Sequence, residues 1–498
     1  MGRLTYPTIR HAARQPDHPA VIDGGLTLTY GELELRVQSA ARNLLSLGVR
    51  PLDRVAVAGV NSLAWVVLAH AIPRIGAILA PINPQLNPQE AVLYMERIAP
   101  ALVLVDDIAG GSPAHAGWPG CPVVPLLEVT AERSVVGTAE LREEITPDDL
   151  HTIIPTSGTT GTPKGVCLTM QNHLAGALAS ALNLGIDPQD RWLANLPFHH
   201  VGGIAIIMRA AFYGTTIVIQ NQFAAEAVIE AIPRDRITQL SLVGTMLARL
   251  LDAIGNRPFP HSVRSVLVGG GPVSRSLVSE ARARGLPVLP TYGLTETASQ
   301  VATLSPGAAM EKLHTTGRPL AMCEVEIRDE AGQPLAAGCD GTICVRGPMV
   351  SSGYWTAPDH IEPIGHDGWF VTSDVGTLDT EGFLVVRGRR DGVIITGGEK
   401  VFPEEVEAIL EQVDGVARAA VFAVHDRAWG QRVVALVEVA PDAAFDPDAL
   451  RAHLERRLAH YKIPKTIMRV DRLPLTATGK IDRRQLTSAD GPVCGRID

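Results

Sequence analysis

Residues 156–166 read Thr156-Ser157-Gly158-Thr159-Thr160-Gly161-Thr162-Pro163-Lys164-Gly165-Val166, hydroxyls and glycines followed by one lysine. A run so rich in glycine contributes little to a core, since glycine brings no side chain and costs backbone entropy. It can instead turn backbone N–H groups toward an anion, with hydroxyls as extra donors, and we read it as a polyphosphate cradle. His151 to Pro155 ahead of it is short and apolar like a strand. Val166 to Leu184 behind it carries apolar residues at mixed spacing and is expected to be partly helical. A flexible Ser/Thr/Gly linker shares the composition but not the fixed company of Pro163 and Lys164. The Walker A pattern is excluded, because Pro163 precedes the lysine where Gly is required and Gly165 follows where Ser or Thr is required.

At 498 residues the chain is expected to form two or more domains. Strand-like and helical stretches alternate through the first 300 residues. Tyr30 to Leu47 is helical and stopped by Gly48, Arg54 to Val60 is a buried strand, Ser62 to Gly76 is a core helix, and Ala101 to Val105 is a strand. Trp192 to Leu196, Thr216 to Ile219, Ser265 to Val268 and Val288 to Thr291 are further strands. The last two run into Gly269-Gly270-Gly271-Pro272 and Tyr292-Gly293-Leu294-Thr295-Glu296, and strand ends opening into Gly-rich turns are where α/β sheets bind ligands. Thr316 to Val386 reads as a small β-rich subdomain. After the charged junction Arg387-Gly388-Arg389-Arg390-Asp391-Gly392 comes a compact α+β piece, with helices at Pro403 to Glu411 and Asp448 to Leu458 and strands at Ala419 to Val424 and Val433 to Val439.

The expected fold class is therefore α/β. A large N-terminal domain, residues 1–388, has parallel or mixed sheets flanked by helices plus the β-rich subdomain. A small α+β C-terminal lid spans 391–498, with a hinge near 389–392. A net charge of -9 argues against a nucleic-acid binder that works by neutralising phosphates. The six cysteines form no C-x-x-C pair and no zinc spacing, which fits reduced thiols in a cytoplasmic protein. The apolar windows Ala64 to Ile82 and Val201 to Ile219 are broken by His70, Pro73, Arg74, Arg209 and Gly214, so no membrane span is expected.

In the segment 292–296, the Tyr292 face suits a purine, Thr295 offers a hydroxyl near a reacting phosphate, and the Glu296 carboxylate suits a divalent cation. A turn with a capping Thr is the structural alternative for the segment. Asp374, after Trp369-Phe370-Val371-Thr372-Ser373, is a carboxylate able to accept two hydrogen bonds at once, but taken alone it reads as part of a solvated turn. Lys480, in Leu473-Pro474-Leu475-Thr476-Ala477-Thr478-Gly479-Lys480, sits on a Gly-containing turn from which an ammonium can reach a cleft and stabilise developing charge.

Taken in order, these motifs resemble the adenylate-forming superfamily, the acyl- and aryl-CoA synthetases, luciferases and peptide-synthetase adenylation domains, over nearly the whole chain. The resemblance implies ATP, Mg²⁺ and coenzyme A as cosubstrates and cofactors. It places Thr156, Ser157, Gly158, Thr159, Thr160, Gly161 and Lys164 on the β- and γ-phosphates. Gly269, Gly270 and Gly271 become the wall between adenine and acid pocket, with Tyr292 and Gly293 beside adenine. Asp374 and Arg389 fall at the ribose, Glu296 on Mg²⁺, Asp391 at the hinge, and Lys480, Thr295 and His200 among the catalytic groups. Gly397-Gly398-Glu399-Lys400-Val401-Phe402-Pro403 matches the motif lining the pantetheine tunnel, although Lys400 replaces a common Asn. Ser373 stands where many relatives have Gly. The implied reaction has two steps, acyl-AMP formation and then thioester formation.

Leu196-Pro197-Phe198-His199-His200-Val201-Gly202-Gly203, continuing to Arg209, and Thr295 to Val301 resemble the o-succinylbenzoate–CoA ligases of menaquinone synthesis within that superfamily. The acid-pocket candidates are His200, Arg209, Gly270, Ser299 and Gln300. An arginine paired inside a helix bundle is the structural alternative for Arg209. Rival functions are another aryl- or medium/long-chain fatty acyl-CoA synthetase, a carrier-protein adenylating enzyme, and a non-catalytic adenylate-binding protein. The expected partners are a small carboxylic acid, ATP and CoA, with no nucleic acid; a homodimer or higher oligomer stays open.

Overall fold

The computed structural model describes residues 2–84, 88–106, 121–131, 140–156, 164–255, 257–271, 273, 275–357, 360–365, 367–396, 399–426, 430–440, 443–458, 460–476 and 481–487. One eight-stranded sheet is ordered His360–Pro363, Gly353–Ala357, Lys164–Thr169, Leu150–Thr156, Ile78–Ile82, Arg54–Ala58, Leu102–Val105, Val123–Pro125. Its strands are parallel from Leu150–Thr156 to Val123–Pro125 and antiparallel toward the other edge. A nine-stranded sheet has six parallel strands at its centre: Val288–Tyr292, Ser265–Gly269, Gln239–Val243, Arg191–Ala194, Thr216–Ile219 and Pro19–Asp23. Strands such as Leu102–Val105 are apolar at every position because helices or loops cover both faces of a parallel sheet.

One core joins the two sheets. Val55, Val57 and Leu79 of the first and Trp192, Ala194 and Ile217 of the second are buried together around helices Tyr30–Ser46, Leu63–Arg74 and Val201–Tyr213. The first of these helices begins at a capping box, Thr29 Oγ1 accepting from Glu32 N and Glu32 Oε2 from Thr29 N. Leu33, Val37, Ala40, Ala41 and Leu44 form its buried stripe, and Gly48, at φ +90°, ends it. The second helix is apolar apart from His70 and Arg74, and all of it but Leu63 and Pro73 is buried. Pro73 in its last turn has no N–H to give Ala69 O, and that carbonyl lies 3.2 Å from His151 Nε2 instead.

Val166 to Leu184 is two elements. Val166, Cys167 and Leu168 continue a strand that pairs on both sides, and Thr169 then caps helix Met170–Leu184 with Asn172 as the reciprocal partner. The β-rich stretch is also divided. Glu324–Arg328, Gly341–Arg346, Phe370–Leu378 and Leu384–Arg389 make their own four-stranded sheet, but Gly353–Ala357 and His360–Pro363 complete the edge of the eight-stranded one. Burial of Trp355, whose indole donates to Arg97 O at 3.2 Å, seats that edge. Strands from Ile394 onward pair among themselves in a five-stranded sheet. Its hairpin Val416–Asp426 and Gly430–Val439 is longer than the apolar runs alone indicate, and helices Pro403–Leu410 and Pro447–Glu455 pack on it. No described helix is long and apolar enough to cross a membrane.

Candidate active site

The parallel strands of the nine-stranded sheet deliver their C-terminal ends side by side. Val243 pairs with Gly269, and Val268 with Pro290, so residues 269–271 and Tyr292 emerge at one edge. Gly269 has no room for a side chain, since a Cβ would lie 2.7 Å from Thr291 O, and Gly270 is left-handed at φ +77°. Gly293 is tighter still. A Cβ there would fall 1.4 Å from Ser299 O, so the chain at Tyr292-Gly293 is pressed against the turn at 298–300. That turn holds two non-glycine residues at positive φ, Ala298 at +50° and Ser299 at +104°, the kind of backbone strain found at ligand sites. Thr295 and Glu296 stand on the short 3-10 turn Thr295–Thr297, which Thr297 closes by accepting from Leu294 N at 3.0 Å.

The residues read as adenine and ribose contacts meet directly. Buried Tyr292 donates its hydroxyl to Asp374 Oδ2 at 2.6 Å, and Asp374 faces Arg389 across adjacent strands. Burial, then the Asp374 carboxylate, pushes the Tyr292 phenol pKa well up, so the phenol stays a donor. On the phosphate side, Thr156 and Lys164 are register partners at the two ends of the Gly-rich loop. Lys164 Nζ lies 4.7 Å from the ring centre of Tyr354, and Tyr354 donates to Glu296 Oε1 at 2.9 Å. One phenol thus links the loop lysine to the carboxylate expected to hold a metal. Sequence reasoning missed Tyr354; Gly353-Tyr354-Trp355 shows only strand-like aromatics, and nothing in it points to Glu296 some sixty residues earlier.

On the acid side, His200 is the N-cap of helix Val201–Tyr213, which carries Arg209. The rings of His199 and His200 are 4.4 Å apart, and burial, then His200, lowers the His199 pKa to about 3, keeping it neutral. Arg209 is 3% exposed. Its Nη2 donates to Gln300 Oε1 at 2.7 Å and lies 3.5 Å from Ser299 Oγ, and its guanidinium stacks over Trp192 at 5.2 Å. Among the described residues it has no acidic partner, and its Nε has no hydrogen bond. Burial pushes its pKa down. Gln300 is itself fixed by donating to Thr303 Oγ1 at 2.8 Å.

Ser157, Gly158, Thr159, Thr160, Gly161 and Lys480 lie outside the described residues, as do Gly397 and Gly398. Asp391 contributes its backbone to the turn Arg390–Gly392 between two sheets, and its side chain is outside the description.

The AMP-binding enzyme family matches residues 9–355, and its C-terminal domain, "AMP-binding enzyme C-terminal domain", matches residues 405–480. The 2-succinylbenzoate–CoA ligase of Geobacillus sp. (strain WCH70) is 38% identical over 480 residues, covering 96% of each chain. Among solved structures, o-succinylbenzoate CoA synthetase of Bacillus subtilis with its acyl-adenylate intermediate superposes with a TM-score of 0.91 at 35% identity, covering 98% of this chain and 99% of that one. With ATP and magnesium ion the score is 0.89, with 98% of this chain and 100% of that one covered at 35% identity. A double mutant of the same enzyme bound to a product analogue, OSB-NCoA, scores 0.75 at the same identity, again covering 98% and 99%. A large N-terminal and a small C-terminal domain, matched along nearly their whole length, place this chain in the AMP-binding enzyme family.

Proposed function

We propose that the protein is an ATP-dependent, AMP-forming acid–CoA ligase whose acid is o-succinylbenzoate. The observation that carries the substrate is Arg209, a buried cation with no described carboxylate partner, beside Ser299 and Gln300 and one helix from His200. A dicarboxylate supplies that partner. One carboxylate docks on Arg209, and the other lies toward the strand ends, where Gly270 is exposed. The 38% identical relative, named for this acid, supports the same reading.

In the first half-reaction a carboxylate oxygen of the acid attacks the α-phosphorus of ATP, and the bond to the β-phosphate bridging oxygen breaks to release pyrophosphate. In the second, the CoA thiolate attacks the acyl carbon and the acyl–oxygen bond to AMP breaks. Tyr292 and Asp374 form one rigid, buried pair for the nucleoside, and the carboxylate still has lone pairs for ribose hydroxyls. Lys164, anchored by its strand pairing with Thr156, presents an ammonium to the phosphates. Glu296 fits Mg²⁺: one oxygen is fixed by Tyr354 and the side chain is half-buried, so its other oxygen can meet a hard cation whose shell phosphate oxygens complete. Bound Mg²⁺ supplies charge neutralisation on the triphosphate. Catalysis is then mainly positioning and charge stabilisation.

The lid spans 391–498, with its hinge at 389–392, and carries Lys480 into the crevice for adenylation. Sheet pairing stops at the turn Arg390–Gly392 and resumes in a separate sheet. The TM-score of 0.91 against the acyl-adenylate form falls to 0.75 against the double mutant bound to the product analogue, in keeping with more than one arrangement of the same fold. The test is a panel of acids scored by pyrophosphate release, with free CoA as acceptor. Release with o-succinylbenzoate and none with fatty or simple aryl acids supports the reading, and the reverse ranking refutes it. Lys480→Ala is expected to abolish acyl-AMP formation while leaving conversion of supplied acyl-AMP to thioester. Equal loss of both steps in a folded variant would refute the assigned division of labour.

A further inference from the structure

We propose that Asn61 is the positioning residue for the acid end of the site, an inference that rests on the ligase reading above. Asn61 follows strand Arg54–Ala58 of the eight-stranded sheet and directly precedes Ser62, the N-cap of helix Leu63–Arg74. It is 2% exposed. Its Nδ2 donates to Leu196 O at 2.9 Å, Ala194 O at 3.1 Å and Gln220 O at 3.3 Å, and its Oδ1 accepts from Phe198 N at 2.8 Å. One side chain from the first sheet therefore fastens the ends of two strands of the second, together with the loop 195–200 between strand Arg191–Ala194 and helix Val201–Tyr213.

That loop leads into the acid pocket. It terminates in His200, which starts the helix bearing Arg209. Phe198 packs on fully buried Trp65 of the anchoring helix, with ring centres 5.8 Å apart. The first turn of the following helix lies flush on the loop, for a Cβ at Gly203 would stand 2.3 Å from Pro197 O and 2.8 Å from Phe198 Cα. Loop and helix thus move as one body, and their placement sets both His200 and Arg209. The loop's own Asn195 is buried with neither amide atom bonded among the described residues, so it does not share the task. Only a carboxamide of this length serves at position 61. Aspartate turns an acceptor toward three carbonyls, and alanine leaves buried Phe198 N without its acceptor and Leu196 O and Gln220 O without this donor.

The experiment compares Asn61→Ala with the wild type by pyrophosphate release, varying acid and ATP separately. Displacing a pocket by a fraction of an ångström to one ångström costs up to about 100-fold, so kcat/KM for the acid should fall roughly 10- to 100-fold while KM for ATP moves less than about 3-fold. The control is Asn43→Ala, which removes another buried amide, one that donates to Val129 O at 2.8 Å and makes no bond to the loop 195–200. It should lower thermal stability without separating the two substrates. Parallel changes in the acid and ATP parameters of Asn61→Ala, or an unchanged acid kcat/KM, overturn the proposal. If Asn61→Ala does not fold, Gly203→Ala drives a methyl group into the same loop at Pro197 O and must show the same separation; a folded Gly203→Ala with wild-type acid kinetics overturns it. A wild type that releases no pyrophosphate with any acid removes the ligase reading itself, and the assignment of Asn61 falls with it.

Discussion

Replacing Arg209 by methionine keeps most of the volume and removes the charge. Its effects on binding and on folding should then differ in size. In the folded protein the guanidinium is 3% exposed, bonded to the neutral Gln300 Oε1 and stacked on Trp192, with no described carboxylate to offset its desolvation. Removing a buried, unpaired charge relieves that cost. Against this, the substitution leaves Gln300 Oε1 without its donor, about 1–3 kcal/mol, and forfeits a cation–π contact of about 2 kcal/mol. The terms oppose one another, so stability should change by no more than about 2 kcal/mol in either direction. Binding has no such compensation. A charge-assisted contact to the ring carboxylate is worth about 1.5–3 kcal/mol, a rise of roughly 10- to 150-fold in the KM for the acid. The KM for ATP should stay within about 2-fold. Steady-state pyrophosphate release gives both constants, and 3-benzoylpropanoate, the same acid without its ring carboxylate, isolates the contact. The wild type should discriminate strongly between the two acids, and Arg209→Met should treat them alike. Undiminished discrimination in a folded Arg209→Met would refute the carboxylate pairing.

Three further outcomes are expected. Tyr354→Phe removes the hydroxyl that fixes Glu296 and should raise the Mg²⁺ concentration for half-maximal activity several-fold, while leaving the acid KM unchanged; an unaltered Mg²⁺ titration would separate Tyr354 from the metal site. Gly293→Ala drives a methyl group into Ser299 O and should cost at least about 3 kcal/mol or prevent folding, as read by urea melts, whereas wild-type stability would show that the turn at 298–300 yields easily. His70, His151 and His173 are buried, and burial in the first place lowers the pKa of His70 to about 3, of His151 to about 4 and of His173 well below its usual value. The unfolded chain then binds more protons than the folded one below the ordinary histidine pKa near 6.5. Stability should be intact above that pH and fall as pH drops toward 4, with a slope of up to about 1.4 kcal/mol per pH unit for each histidine; a flat profile in urea melts between pH 6.5 and 4.5 would contradict the burial of these imidazoles.

Much of this was legible in the sequence because the relevant signals are local. Thr29 with Glu32, the stripe Leu33, Val37, Ala41, Leu44, and Gly48 give one helix its start, face and stop within twenty residues. The apolar runs ending at Gly269 and Tyr292 marked adjacent strand ends because parallel strands bury both faces. Long-range pairing was not legible. Nothing near Lys164 indicates Tyr354, and nothing near Asn61 indicates Leu196, because these contacts depend on which sheet edge a strand joins and on which loop crosses it. Arg209 was visible as an arginine in an apolar helix, but its lack of an acidic partner becomes apparent only when Gln300 and Trp192 are placed around it.

The strand Gly353–Ala357 closes the edge of a sheet whose other members are all drawn from residues before 170, apart from its own hairpin partner His360–Pro363. During synthesis the ribosome therefore releases almost two hundred residues after Lys164–Thr169 before that strand acquires its neighbour. Until then its row of N–H and C=O groups is an open template for a foreign chain. A polypeptide cut short near residue 350 should accordingly clump even though both large cores are nearly whole, and it could not set a phenol between Lys164 and Glu296. The same late stitch that seals the barrier against misassociation also finishes the phosphate end of the crevice.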